Sequence, residues 1–156
     1  MIRKIKDSDI TKILDIWLEA SLISHDFVGA DYWQKMLPSV KDNYLPYADT
    51  FVFEDKHKIK GFISILDKKH IGALFVAPKF QNKKIGSKLL RFTQRRYPLL
   101  SLNVFTKNSL AIAFYQQNNF KIIAEQTDPS TKEQQLHMSW GLGGKSGFRK
   151  RYYGDS

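Results

Sequence analysis

The chain predicts an α/β fold in which a mixed β-sheet carries helices on both faces. Two observations lead there. First, the hydrophobic period changes within residues 71–90. Ile71 to Val76 is a short apolar run of strand length, and from Ile85 the spacing turns helical, with Leu89 and Phe92 on one face and Leu90 beside them. Second, the remaining apolar runs and turn signals order the whole chain as β-α-α-β-β-β-α-β-α-β-β. That order interleaves strands with helices.

Residues 1–6 alternate through Ile2 and Ile5 as a first strand. Asp7 or Ser8 can cap a helix whose apolar face is Ile10, Ile13, Leu14, Trp17 and Leu18. Ser24-His25-Asp26-Phe27 interrupts the pattern, and Trp33, Met36, Leu37, Val40 and Tyr44 resume it. Pro38 inside that second stretch demands a kink or two short helices. Residues 50–54 and 59–66 are strands joined by a polar turn, and residues 67–69 lead into the central strand. Pro78 has no N–H for a ladder, so the strand ends or bulges there. The following helix runs to near Tyr97-Pro98, and residues 99–105 form the next strand. Asn108 or Ser109 caps a helix containing Ala111, Phe114 and Tyr115. Residues 120–124 and 134–140 are the last strands, separated by an Asp128-Pro129-Ser130 turn. Residues 141–156 are Gly-rich and basic, which predicts a flexible appendage and leaves 1–140 as a single domain.

With 156 residues, 42% of them hydrophobic, the chain can bury a substantial core. No apolar run approaches the roughly 20 residues that span a bilayer, and no signal-peptide core opens the chain. A cytoplasmic address without a membrane partner is the expectation. The absence of cysteine excludes disulfides, thiolate metal sites and a cysteine nucleophile. No histidine has a partner at metal-ligand spacing, so no metal is expected. The net charge of +10 calls for anionic partners: phosphorylated cofactors, nucleic acid or acidic protein surfaces.

The turn between the central strand and its helix fits an anion. Helix N-termini carry partial positive charge on free backbone N–H groups, and Gly86 lets a phosphate oxygen approach the main chain. Lys83 and Lys84 add two full charges. A P-loop requires Gly-x-x-x-x-Gly-Lys-Ser/Thr, and a dinucleotide fold requires Gly-x-Gly-x-x-Gly; neither is present. The stretch resembles the acyl-CoA motif of the GNAT N-acetyltransferases, which runs strand, Val-x-Pro, a few residues, Gln/Arg-x-x-Gly-x-Gly/Ala, then helix. Val76, Pro78, Gln81, Gly86 and Ser87 fall in register with it. The family's first Gly is Lys84 here, a substitution costing roughly 1 kcal/mol if that position needs a positive φ. Downstream, Asn108, Ala111, Phe114, Tyr115 and Phe120 match a second hallmark, Asn-x-x-Ala-x-x-Phe-Tyr-x-x-x-Gly-Phe. Asn119 replaces its Gly and tolerates the same left-handed geometry. His25-Asp26-Phe27, Tyr32-Trp33 and Met138-Ser139-Trp140 resemble a small bacterial GNAT subgroup that includes protein-lysine acetyltransferases.

The resemblance covers residues 1–140 and implies a GNAT-like mixed central β-sheet. It implies acetyl-CoA as co-substrate, held by Phe75, Val76, Gln81, Asn82, Lys83, Lys84, Ile85, Gly86, Ser87 and Asn108. The acceptor it implies is a primary amine, on a protein lysine or a small molecule, attacking directly in a ternary complex. A lysine-like amine must first lose its proton, which costs about 4.6 kcal/mol at neutral pH. His70, at the start of the central strand, is a candidate base, alone or through water. From the family, an oxyanion donor is expected among the backbone N–H groups near Phe75 or Val76. Tyr115 matches the tyrosine that protonates the departing thiolate. A monomer or homodimer is expected. Two other readings stay open: a non-catalytic acyl-CoA-binding domain, and a basic nucleic-acid-binding module whose affinity would fall steeply with salt. Nucleic acid is not the expected partner.

Overall fold

In the computed structural model, which describes residues 1–81 and 84–141, tight turns set most of the strand pairing. Lys56 and His57 have φ of 51° and 66°, and Asp67 and Lys68 have 52° and 59°. Consecutive left-handed residues of this kind make hairpin turns whose twist matches the flanking strands. They join β2 (Asp49–Asp55) to β3 (Lys58–Leu66), and β3 to β4 (His70–Val76). With β1 (Ile2–Lys4) at one edge, these strands pair antiparallel in the order β1-β2-β3-β4.

The chain forms two compact units, Met1–Thr93 and a second beginning at Gln94. The boundary lies inside a helix, α3 (Ile85–Arg96), and not in a linker. The first unit also holds α1 (Ile10–Ser24) and α2 (Ala30–Ser39). The second unit has α4 (Ser109–Gln117) and the strands β5 (Leu99–Phe105), β6 (Lys121–Thr127) and β7 (Gln134–Gly141). Its strands pair antiparallel in the order β5-β7-β6. Gly141 closes β7, so the last strand runs one residue further than the spacing predicts. The rest of the expected basic tail lies outside the described residues.

The first unit's core is made by Ile13, Ile16 and Trp17 of α1 with Val52, Phe62, Ile63 and Ile65 of the sheet. Leu89 and Leu90 of α3 are fully buried as well. In α1 the buried face is Ile13, Ile16, Trp17, Ala20 and Ser21, a rotation from the expected one. Ile10, Leu14 and Leu18 are only half-buried. The start of this helix differs too. A single 3-10 turn, Asp7–Asp9, precedes it, and the residue that organises the entry is Asp9 rather than Asp7 or Ser8. The Asp9 carboxylate accepts from the Lys6 N–H at 2.8 Å and from Arg3 Nη1 and Nη2 at 2.8 and 3.1 Å. Arg3 Nε also donates to Glu54 at 2.8 Å, tying β1, β2 and the helix entry together. Pro38 does not break its helix. A five-residue π-type turn, Val40–Tyr44, follows α2 directly.

One irregularity in the sheet bears on the site. The β3–β4 register shifts between Ser64 and Ile65, leaving Gly72 as the extra residue of a bulge in β4. Any side chain there would collide with the Tyr44 hydroxyl, which the π-type turn lays against the bulge.

The Arg3 hydrogen bond, more than any other influence, holds the Asp9 carboxyl below its usual range. A carboxyl depressed in the folded state contributes stability above its unfolded pKa, near 4, and loses it as pH falls through the folded value. Asp9→Ala should therefore lower unfolding stability by about 2 kcal/mol at pH 7, because Arg3 keeps Glu54 but loses both of its bonds to Asp9. Denaturant titrations should show the deficit shrinking below about pH 3. A deficit constant from pH 7 to pH 2 would refute the pairing as the source.

Candidate active site

The parity of the β3–β4 ladder decides which backbone groups the end of β4 offers. Ala77 N–H donates to Lys60 C=O at 2.8 Å, which marks these two as a hydrogen-bonded pair. Alternation along an antiparallel ladder makes the Val76–Gly61 pair non-bonded and the Phe75–Phe62 pair bonded. The Phe75 N–H is thus committed to β3, and the Val76 N–H and C=O turn away from it. Of the two oxyanion donors expected from the sequence, the geometry leaves Val76. Gln81 Nε2 donates to the Val76 C=O at 3.2 Å, linking the strand end to the turn that follows.

Pro78 ends the strand as expected, with a single 3-10 turn at Pro78–Phe80. Lys84 then adopts φ of 64°, so the residue in the family's glycine position does take the left-handed conformation. The first hydrogen bond of α3 runs from Lys88 N–H to Lys84 C=O at 3.0 Å. The N–H groups of Ile85, Gly86 and Ser87 consequently have no acceptor within the helix. Ile85 buries its side chain, 5% exposed, and Gly86 and Ser87 are half-buried. Three donors with no acceptor among the described residues, a lysine and a glycine at one helix start fit a pyrophosphate. Asn82 and Lys83 lie outside the described residues.

Gly61, which the sequence reading passed over, sets the height of this helix start. A Cβ there would stand 2.9 Å from the Phe75 carbonyl oxygen and 3.3 Å from Ile85 Cγ2. Only glycine lets α3 settle this closely onto β3 and β4. Its signal in the sequence is a lone glycine inside an apolar strand.

His70 opens β4, paired with Leu66 at the end opposite Val76. At about 3.3 Å per residue the two Cα atoms are roughly 20 Å apart, so His70 could act at Val76 only through water or other groups. His57 sits exposed in the β2–β3 turn. His137 bonds Asn103 Oδ1 through Nδ1 at 2.8 Å. Among the described residues there is no His, Cys, Asp or Glu cluster that could hold a metal ion.

In the second unit Asn108 caps α4, its Oδ1 accepting from the Ala111 N–H at 3.2 Å. Asn108 is the residue expected to serve the cofactor, and the cap uses one of the two acceptor positions of its oxygen. The other end of α4 fixes Tyr115. Asn119 takes φ of 72°, Phe120 N–H donates back to Tyr115 C=O at 3.0 Å, and Asn119 N–H donates to Gln116 C=O at 3.1 Å. These two bonds define a Schellman ending, and its usual apolar contact is the Tyr115–Phe120 ring pair at 5.6 Å. Phe114 packs on the other side at 5.2 Å. Burial pushes the Tyr115 phenol well above its ordinary range, so it is protonated throughout the physiological range.

The profile of the acetyltransferase (GNAT) domain matches residues 46–122. The chain is 39% identical over 140 residues to the peptidyl-lysine N-acetyltransferase YiaC of Escherichia coli, covering 90% of this chain and 96% of that one. Its fold is similar to the solution structure of apo YjaB from Escherichia coli, with a TM-score of 0.78 and 25% identity over 90% of this chain and 96% of that one. A Thermoplasma acidophilum PaiA N-acetyltransferase in complex with coenzyme A superposes with a TM-score of 0.75 at 20% identity, covering 91% and 98%. The fold expected from the sequence, a mixed α/β sheet with flanking helices, is the fold the chain adopts.

Two substitutions separate the contributions at the turn. Gly86→Asp puts a carboxylate among the free N–H groups. It should leave stability unchanged or slightly higher, since acids favour helix starts, while weakening CoA binding at least tenfold by calorimetry. Lys84→Gly should relieve left-handed strain of about 1 kcal/mol, partly offset by glycine's looser unfolded chain. Its CoA affinity should change by less than about tenfold, or roughly 1.4 kcal/mol. A larger loss would show that the Lys84 charge contacts the phosphates.

Proposed function

The chain belongs to the GNAT acetyltransferase family, and on that premise we propose that it acetylates lysine side chains of proteins. Acetyl-CoA is the co-substrate, supplying an acetyl group activated as a thioester. The lysine acceptor is supported by the relatives, named peptidyl-lysine N-acetyltransferases at 39% and 30% identity. The observation that carries the reading is the end of β4: a backbone N–H turned away from β3 at Val76, followed by a helix start whose first three N–H groups have no acceptor among the described residues.

In this reading Ile85, Gly86 and Ser87 bind the pyrophosphate through their N–H groups, with Gln81 to Lys84 completing the turn. Asn108 contributes its carboxamide, held in place by its role as the helix cap. The Val76 N–H donates to the carbonyl oxygen as negative charge develops there, a preorganised dipole that needs no rearrangement. Tyr115 donates its hydroxyl hydrogen to the departing sulfur. Burial keeps this phenol protonated, so the hydrogen is in place to be donated. The attacking amine must also lose its proton, and His70, roughly 20 Å from Val76, could take it only through a chain of waters. No described helix is long and apolar enough to cross a membrane.

Tyr115→Phe tests the assignment. The ring keeps its contacts with Phe114 and Phe120, so fold and CoA affinity should hold. Acetylation of a lysine peptide should slow by about 10²–10⁴-fold, the range for a positioned acid. Full activity in this variant would remove Tyr115 from the chemistry. Failure of the wild type to acetylate lysine peptides while turning over small amines would overturn the protein acceptor.

A further inference from the structure

We propose that the aromatic cluster around His25 is the acceptor-binding site, taking a primary amine at the end of an unbranched apolar stem. The amine meets the His25 imidazole, and the stem lies against Phe27, Trp33 and Phe75. The proposal rests on the reading of the chain as a lysine acetyltransferase and names the residues that receive the lysine.

Position is the first argument. The His25 ring lies 6.2 Å from that of Phe75, centroid to centroid, and Phe75 is the residue before Val76 on β4. The imidazole therefore stands beside the strand end that offers the outward N–H. Trp33 and Phe27 flank it at 5.4 and 6.1 Å, and Tyr32 packs edge-on to Trp33 at 4.8 Å. Phe27, Tyr32 and Phe75 are half-buried, so part of each faces outward. The cluster is also rigid. Trp33 Nε1 donates to the His25 C=O at 3.1 Å, and the His25 N–H caps α1 by donating to Ser21 C=O at 2.9 Å.

Charge is the second argument. The protein carries +10 overall, yet residues 24–34, which bear His25, Phe27 and Trp33, hold Asp26 and Asp31 and no lysine or arginine. The phosphate-binding turn, which follows the same end of β4, is basic. One segment thus suits a cation and the other an anion, as two substrates of opposite charge require.

The chemistry of the cluster agrees. Burial pushes His25 down to about 4, so the imidazole is neutral at physiological pH and accepts a hydrogen bond from the amine without repelling it. Aromatic faces attract an ammonium and tolerate its methylene stem. Desolvation against those rings also favours the neutral amine that must attack.

The test uses acetyl-CoA and a capped lysine, Nα-acetyl-lysine methylamide, with the full chain. His25→Phe keeps an aromatic ring and deletes both nitrogens, and His25→Gln restores a hydrogen-bonding group. His25→Phe should raise KM for the capped lysine at least tenfold with KM for acetyl-CoA and the melting temperature unchanged, and His25→Gln should recover part of the loss. An unchanged KM for the capped lysine in folded His25→Phe would overturn the proposal. Should both variants fold poorly, NMR of the wild type decides. The His25 Hε1 signal, one of four imidazoles, should shift as capped lysine is titrated into the CoA-bound protein, and an unmoved signal at saturation would overturn it. A wild type that binds acetyl-CoA and acetylates no amine would instead refute the enzymatic reading, and the same titration would still report whether His25 meets the amine.

Discussion

Where the β3–β4 ladder stops governs the rest of the structure's chemistry. Ala77 makes the final bond to Lys60, and Pro78 cannot make another. Counting back from that bond fixes Phe75 inward to β3 and Val76 outward. A slip of one residue would exchange them and turn every side chain on the strand to the other face. The bulge at Gly72 lies upstream of this count, so the register that matters is set by the stretch from Ala73 to Ala77.

The helix start gains its meaning from the same strand end. Three free N–H groups on α3 would be an ordinary exposed terminus if they pointed at bulk solvent. Gly61 brings the first turn of α3 against β3 and the Phe75 carbonyl, so those donors open where β4 ends. Lys84 takes the left-handed turn at a cost that glycine would avoid, and adds a positive charge to the same helix start. The cost lies in the backbone and the benefit in electrostatics, so the two are separable by substitution. Tyr115 depends on an analogous device at the other helix: a left-handed Asn119 that ends α4 and locks the ring pair with Phe120.

Much of this was legible in the sequence, for identifiable reasons. The period change at residues 71–90, the Pro78 stop and the Asn108 cap are local, and local rules read them correctly. The positive φ at Lys84 and Asn119 followed from matching motif positions that require it. What escaped were features set by tertiary contact. Asp9 replaced Asp7 and Ser8 at the helix entry because Arg3 reaches it from β1. The face of α1 rotated to bury Ile16 and Ala20, since the sheet decides which stripe is covered. Phe75 and Val76 could not be told apart before the ladder was known. Nor could the ring contact between His25 and Phe75 be read from residues fifty apart in the chain.

The central claim is that the outward strand end and the free helix start together hold acetyl-CoA through the backbone. Residue-resolved amide hydrogen exchange, with and without acetyl-CoA, tests it most directly. The account predicts that the Ile85, Gly86 and Ser87 amides exchange quickly alone and are protected when acetyl-CoA is bound. Phe75, already in the ladder, should be protected in both states. Unprotected amides at 85–87 in a protein saturated with acetyl-CoA would contradict it.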